Sequence, residues 1–279
     1  MLTLDPQEIA AFARMVLAED HAENDVTSLA VVSSEATARG IFVAREPMVL
    51  AGMALAEAIV RAVDPAVTFT AHAKDGDRLE DGAEVATLTG SARAILTAER
   101  SALNTLQHLS GIATYTRQYV DAIEGTGAVL LDTRKTIPGL RRIGKYATSV
   151  GGAENHRMTL ADAILIKDNH IAIQGGVTAA IEAARAGSDL PIEIECDTLE
   201  QAQEALACGI THILLDNMTP FELRRVVALA SGKARLEASG GVTLESIRRI
   251  AETGVDYISV GRLTQSAPAV DIGLDFQLD

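Results

Sequence analysis

Seven basic side chains, Arg134, Lys135, Arg141, Arg142, Lys145, Arg157 and Lys167, crowd into one short stretch interrupted only by the acids Glu154 and Asp162. The stretch carries a net +5 in a chain whose net charge is −14, so the remainder sums to −19. Arginine guanidinium groups such as those of Arg134 and Arg157 match carboxylate or phosphate oxygens two at a time, and Lys135 and Lys167 add compact positive charge. This is the composition of a pocket for a small, multiply charged anion. Nucleic acid is a poor candidate: a pI near 4.9 repels a polyphosphate over most of the surface, and aromatic residues for base stacking make up only 3%.

The groups that complete such a pocket lie further along. Glu195 and Asp216 suit ribose hydroxyls or a magnesium ion chelated by a substrate diphosphate. Ser239-Gly240-Gly241 stands just before a helix expected to begin near Thr243, where backbone N–H groups and the helix N-terminus form a phosphate seat.

Parallel strands are needed to bring these residues to one place. From Ala128 onward, short β-rich apolar runs alternate with amphipathic helices, the pattern of βα units around a parallel sheet. Six strands are expected, at 128–132, 163–167, 191–195, 212–216, 234–238 and 257–261. Capping signals at Thr198–Gln201 and Thr219–Glu222 start helices, and Gly187, Gly209, Gly232 and Gly254 stop them. In a parallel α/β barrel all strand C-termini face one end. The tips here are polar in turn: Asp132 to Lys135, Lys167 to Asn169, Glu195, Asp216-Asn217, Ser239 to Gly241, and Gly261-Arg262.

The first hundred residues read differently, as α+β: a helix from Pro6 to Glu19, strands near 36–44 and 67–73, and turns at Asp75-Gly76 and Asp81-Gly82. A helical stretch over 91–124, broken near Ser110-Gly111, joins the halves. The expected division is 1–110 and 111–269, with the tail 270–279 packing on the first part. The 279 residues, 48% hydrophobic, suffice for a large core. No apolar run approaches the ~18 residues needed to cross a bilayer, and 1–20 reads as an amphipathic helix rather than a signal peptide, so the expected location is the cytoplasm. Cys196 and Cys208 have no metal-ligand spacing and read as reduced packing residues.

The runs Ala98 to Asn104, Leu109 to Thr114, Asp132 to Arg141, Asn155-His156-Arg157 and Leu165 to His170 resemble the quinolinate phosphoribosyltransferase family, in its order and spacing over nearly the whole chain. The resemblance implies an N-terminal α/β sandwich followed by an incomplete, roughly seven-stranded α/β barrel. It implies an enzyme that joins quinolinate to 5-phosphoribosyl 1-diphosphate with magnesium, giving nicotinate mononucleotide, carbon dioxide and diphosphate. It also implies a homodimer in which Arg100 reaches the partner's site. By the same resemblance Arg134, His156, Arg157 and Lys167 hold the quinolinate carboxylates, and Lys135, Glu195 and Asp216 the diphosphate donor and its magnesium. Thr133 also touches substrate, while Ser239, Gly240, Gly241, Val260, Gly261 and Arg262 seat the phosphate. Lys135, Lys167, Glu195 and Asp216 are the expected catalytic set.

Ile137, Gly144 and Ala153 depart from the family's usual pattern, but none removes a charged contact. Read without the resemblance, Lys167 also suits a Schiff-base lysine of the aldolase kind, although that reading leaves Arg100, Arg134 and Arg157 without a task. A molybdenum-transport-associated relative shares the expected fold, and the intact Asp132-Thr133-Arg134-Lys135 run favours the quinolinate enzyme over it. A non-catalytic anion binder is the third reading.

Overall fold

The computed structural model describes residues 2–277, to which all element counts refer. Met1 and residues 278–279 of the expected tail lie outside the described residues. The chain forms two compact units: Met1–Thr116 with Ile143–Gly151 and Ser266–Asp279, and Arg117–Arg142 with Gly152–Gln265. The units are therefore not two consecutive stretches of sequence.

The first unit is built on strands β1 (Thr37–Ala44), β2 (Met48–Val49), β3 (Thr68–Ala71), β4 (Arg78–Leu79) and β5 (Glu84–Ser91), with a last strand, β12, at Ile272–Gln277. Four of them form a sheet in the order β12-β1-β5-β3, antiparallel throughout. Phe42, Leu88, Ile59, Ile95, Leu103 and Leu106, all fully buried, form the centre of its core. The first helix, Pro6–Glu19, begins where its sequence says it should. Asp5 accepts from the Gln7 N–H, Glu8 completes a capping box, and Pro6 needs no N–H partner at the first position.

The helical stretch expected to break at Ser110-Gly111 is instead one continuous helix, Ala92–Ala122. The small residues there serve close approach. The Ser110 hydroxyl accepts from the Ala51 N–H at 2.9 Å, and a side chain at Gly111 would lie 2.8 Å from the Cα of Ala269. A mid-helix glycine costs about 1 kcal/mol relative to alanine, offset here because no larger residue fits.

In the second unit six strands run parallel: β6 (Val129–Leu131), β7 (Ile164–Ile166), β8 (Ile192–Cys196), β9 (His212–Asp216), β10 (Arg235–Ser239) and β11 (Tyr257–Ser259). Their order is β6-β11-β10-β9-β8-β7, and each coincides with an expected strand. β6 and β7 are the edges, and a parallel bridge between Leu131 and Glu154 adds a short seventh position beside β6. The result is an incomplete α/β barrel. Helices Val177–Gly187, Leu199–Ala207, Pro220–Ala230 and Leu244–Ala251 follow successive strands. Thr219 and Glu222 make the expected reciprocal cap, with Pro220 at the first position. Thr198 caps the Gln201 N–H, but the Gln201 side chain accepts from Asp197 instead.

Candidate active site

Side chains alternate between the two faces of a strand, so residues two apart share a face. On β8 that pairs Glu193 with Glu195, on β9 Leu214 with Asp216, and on β10 Glu237 with Ser239. Leu165 and Lys167 pair likewise at the end of β7. Because the strands are parallel and in register, the second member of each pair lies at the same end of the sheet. There Lys167, Glu195, Asp216 and Ser239 line a cavity of about 340 Å³ together with Thr133, Arg134, Lys135, His156 and Arg157. A second cavity, of about 270 Å³, shares Thr133, Lys135 and Ser239 and continues to Gly240, Gly241, Val260, Gly261 and Arg262.

The basic compartment is under electrostatic tension. Arg157 is half-buried, and burial first, then the charge of Arg134, lowers its affinity for its proton. One Arg157 guanidinium nitrogen donates to the Ala163 carbonyl at 2.8 Å. The Nε of Arg134 is buried and, among the described residues, has no hydrogen-bond partner. An anion between the two guanidinium groups would relieve the repulsion. Lys167 is paired with Glu195 through its Nζ, which holds the ammonium at the strand tip.

The loop carrying His156 and Arg157 is pinned from below by Asp132, which is fully buried. Its two oxygens accept from the His156 N–H at 3.0 Å and the Asn155 side-chain amide at 2.6 Å. Within the run Asp132 to Lys135, the aspartate therefore builds the scaffold while the next three residues face the cavity.

The second compartment is a backbone device. Gly240 and Gly241 have φ of +92° and +60°, a left-handed pair that turns the chain into the N-terminus of helix Leu244–Ala251, capped by Thr243. The unpaired N–H groups of such an entry favour a phosphate. Lys135 lies beside it. Its N–H donates to the Thr133 hydroxyl at 3.0 Å and its carbonyl accepts from Thr264 at 2.8 Å.

Not all seven basic residues converge. Arg134, Lys135, Arg157 and Lys167 face the cavities. Arg141 is spent on structure, its Nε reaching the Thr136 hydroxyl at 3.2 Å and another guanidinium nitrogen the Met158 carbonyl at 3.2 Å. Lys145 is fully buried and belongs to the first unit. Arg142, at the last position of its segment of the second unit, is half-buried. Helix Arg141–Gly151 carries its later residues into the other unit. Arg100 also belongs to the first unit, where it is exposed and bonded to Glu99 at 2.5 Å. Cys196 and Cys208 are free thiols, and burial pushes that of Cys196 up to about 12.

Two acids beside His156 escaped the sequence reading. The Nε2 of His156 lies 3.2 Å from Glu193 and 3.6 Å from Glu237. Their signal was present: each is a carboxylate in an apolar strand, two residues before an expected site residue. Burial, reinforced by Glu193, pushes Glu237 up to about 7. Its Oε1 has no hydrogen-bond partner among the described residues.

A carboxyl raised from 4.5 to about 7 on folding binds its proton more tightly in the native than in the unfolded state. Stability is then highest below pH 4.5 as far as this group is concerned and falls as pH rises toward 7. Glu237→Gln should flatten that dependence, with a larger gain in Tm over wild type above pH 7 than below pH 5. Thermal melts across that range test it, and equal Tm differences at both ends would contradict the assignment.

Glu195 and Asp216, on adjacent strands, are hard oxygen donors of the kind magnesium accepts. Glu195 is already paired with the Lys167 ammonium.

An incomplete parallel barrel with a cationic compartment next to a glycine-turn anion seat defines a protein that brings a small polyanion against a phosphate-bearing molecule. The model of the quinolinate phosphoribosyl transferase C-terminal domain matches residues 112–275, and that of the N-terminal domain residues 25–110. The nicotinate-nucleotide pyrophosphorylase (carboxylating) of Mycobacterium leprae is 45% identical over 90% of this chain and 90% of its own. A probable enzyme of the same name from Bacillus subtilis is 43% identical over 93% and 90%. The crystal structure of NadC from Streptococcus pyogenes superposes with a TM-score of 0.95 at 41% identity, covering 100% of both chains. The chain belongs to the quinolinate phosphoribosyltransferase family.

Proposed function

We infer that the protein is a decarboxylating quinolinate phosphoribosyltransferase, a pentosyltransferase of NAD biosynthesis. It converts quinolinate and 5-phosphoribosyl 1-diphosphate into nicotinate mononucleotide, carbon dioxide and diphosphate. The observation that carries this reading is the pair Arg134 and Arg157, which line one cavity and repel each other, beside the glycine-turn seat. A dianion answers the first feature and a sugar phosphate the second.

The ring nitrogen of quinolinate carries a free lone pair, so attack on ribose C1 needs no proton removal and no general base. Arg134, Arg157 and Lys167 hold the two carboxylates and orient that nitrogen. Thr133, Lys135 and the turns Ser239–Gly241 and Val260–Arg262 hold the donor's phosphates. Departure of diphosphate leaves an oxocarbenium-like sugar, and Asp216 or Glu195 near the ribose favours the cationic centre. Glu195 and Asp216 would hold magnesium together with the diphosphate, and when bound it would supply charge neutralisation for the leaving group. Once the C1–N bond has formed, the ring is a pyridinium. The C2–carboxylate bond then breaks, carbon dioxide leaves, and its electron pair stays at C2 as an ylide beside the positive nitrogen until a proton is taken up. The arginines must therefore orient the C2 carboxylate without holding it more tightly in the ground state than in the transition state.

Incubation with both substrates and magnesium, followed by detection of nicotinate mononucleotide and carbon dioxide, tests the reading. Absence of both products from folded protein would refute it. Covalent trapping of Lys167 by borohydride with a keto acid would instead support the aldolase-like chemistry.

The exposed Arg100, lying outside the unit that carries the cavity, fits a residue donated across a homodimer. Inactive Arg100→Ala and Lys167→Ala protomers, mixed and allowed to exchange, should then recover partial activity, because one site of each mixed dimer has both native residues. No recovery in demonstrated mixed dimers would mean self-contained sites. The free thiols, together with the absence among the described residues of any helix long and apolar enough to cross a membrane, are in keeping with a cytoplasmic location.

A further inference from the structure

We propose that Asn217 is a positioning residue that ties the phosphate seat to the Asp216 carboxylate and holds that carboxylate in the direction the donor's ribose requires. The inference rests on the quinolinate phosphoribosyltransferase reading and deepens it. Asn217 lines neither cavity, yet it touches a lining residue of each. Its side-chain amide donates to the Asp216 Oδ2 at 2.6 Å, and Asp216 lines the larger cavity. Its side-chain carbonyl and backbone nitrogen crowd Gly240, where even a Cβ would overlap them, and Gly240 lines the smaller cavity. The Asn217 N–H donates to the Ser239 carbonyl at 2.9 Å. That bond carries the pairing of β9 and β10, in register at Asp216 and Ser239, one residue further.

The backbone shows what the side chain is kept for. Asn217 has φ of +55°, the left-handed region that glycine holds at least cost. The other two non-glycine residues found there among the described residues, His21 and Ser231, close the helices Pro6–Glu19 and Pro220–Ala230, where such geometry is ordinary. Asn217 instead follows a strand tip, and it is exposed, so core packing does not demand a side chain. Asparagine tolerates this φ better than most residues with a Cβ. What it adds over glycine is an amide, its nitrogen turned to a carboxylate and its oxygen to the glycine turn. With Oδ2 so held, the Asp216 carboxylate cannot rotate without breaking that bond, and Oδ1 is left for the donor.

Asn217→Gly keeps the backbone and removes both amide contacts, so little change in Tm is expected. Its affinity for 5-phosphoribosyl 1-diphosphate with magnesium, titrated by calorimetry without quinolinate, should fall about tenfold, the scale of one lost hydrogen bond to a charged group. KM for quinolinate should not change. In an Asp216→Ala background the same substitution should weaken donor binding less than about twofold, because the group through which Asn217 acts is gone. Equal losses in the two backgrounds would overturn the proposal, since a role in turn structure alone would add independently of Asp216. A crystal structure of Asn217→Gly should show the Asp216 carboxylate turned from its present direction with the Gly240 turn in place, and an unmoved carboxylate would also overturn it. Absence of wild-type turnover would sink the functional reading, and the direction of the Asp216 carboxylate in the variant would still decide this one.

Discussion

Arg134→Ala is expected to lower kcat/KM for quinolinate by on the order of 10³-fold while leaving thermal stability unchanged or slightly raised. Removing one partner of a desolvated charge contact costs about 2–5 kcal/mol, and each 1.4 kcal/mol is a factor of ten. Arg134 is at the upper end because it lines the cavity with Arg157, whose like charge it repels, so the free protein already bears the cost of holding together two cations that an anionic substrate would reconcile. Stability moves the other way because the residue repels Arg157, whose proton affinity it lowers. A residue kept for structure would show the reverse, with Tm falling alongside activity. Arg134→Lys restores the charge but not the forked donor set, and should recover only part of the loss. Steady-state kinetics with each substrate varied, alongside thermal melts, decide the matter. A variant that loses stability and keeps quinolinate kinetics would remove Arg134 from the site.

The second large effect is expected at a residue with no side chain. Gly240→Ala should raise KM for the diphosphate donor by roughly 10²-fold or more and lower stability by about 2–3 kcal/mol, the scale of a strained non-glycine backbone position. Two penalties combine there. The φ of +92° disfavours any L side chain, and a Cβ would stand 2.6 Å from the Asn217 Cγ and 2.8 Å from the Asn217 backbone nitrogen. That nitrogen cannot yield cheaply, since it donates to the Ser239 carbonyl at 2.9 Å, a bond between the ends of the neighbouring strands β9 and β10. The neighbouring Gly241→Ala is the control. Its φ of +60° is the ordinary left-handed well, and a Cβ there meets no described atom within 4 Å, so about 1 kcal/mol is expected with donor affinity largely retained. Similar behaviour of the two variants, measured by donor titration and chemical denaturation, would mean that the close approach to Asn217 plays no part in shaping the phosphate seat.

Much of the second unit was legible because its signals are local. Four of the six parallel strands are short apolar runs between a glycine stop and a polar tip, and Thr219, Pro220 and Glu222 specify a helix start with atoms a few bonds apart. The polar tips could be assigned to one end of the sheet before any contact was known, since parallel strands place their C-termini together. The seventh position was less visible: it is a single bridge at Glu154 without the β-rich run that marks a strand. The Ser110-Gly111 pair misled for a related reason. Local propensity reads small residues as a break, whereas what decides is the chain packed against them, at Ala51 and Ala269.

By itself, then, the sequence determined the succession of βα units, the polar residue at each strand tip, the glycine turn before Thr243 and the excess of positive charge early in the barrel. All of these follow from neighbours along the chain. Tertiary structure alone decided which charges share a cavity. It committed Asp132 to pinning the His156 loop and brought Glu193 and Glu237 from two strands onto one imidazole. The physical reason is that charge interacts through space, falling off with distance and with the solvent between partners. A list of charged residues becomes a site only when the fold has set which of them are close and dry.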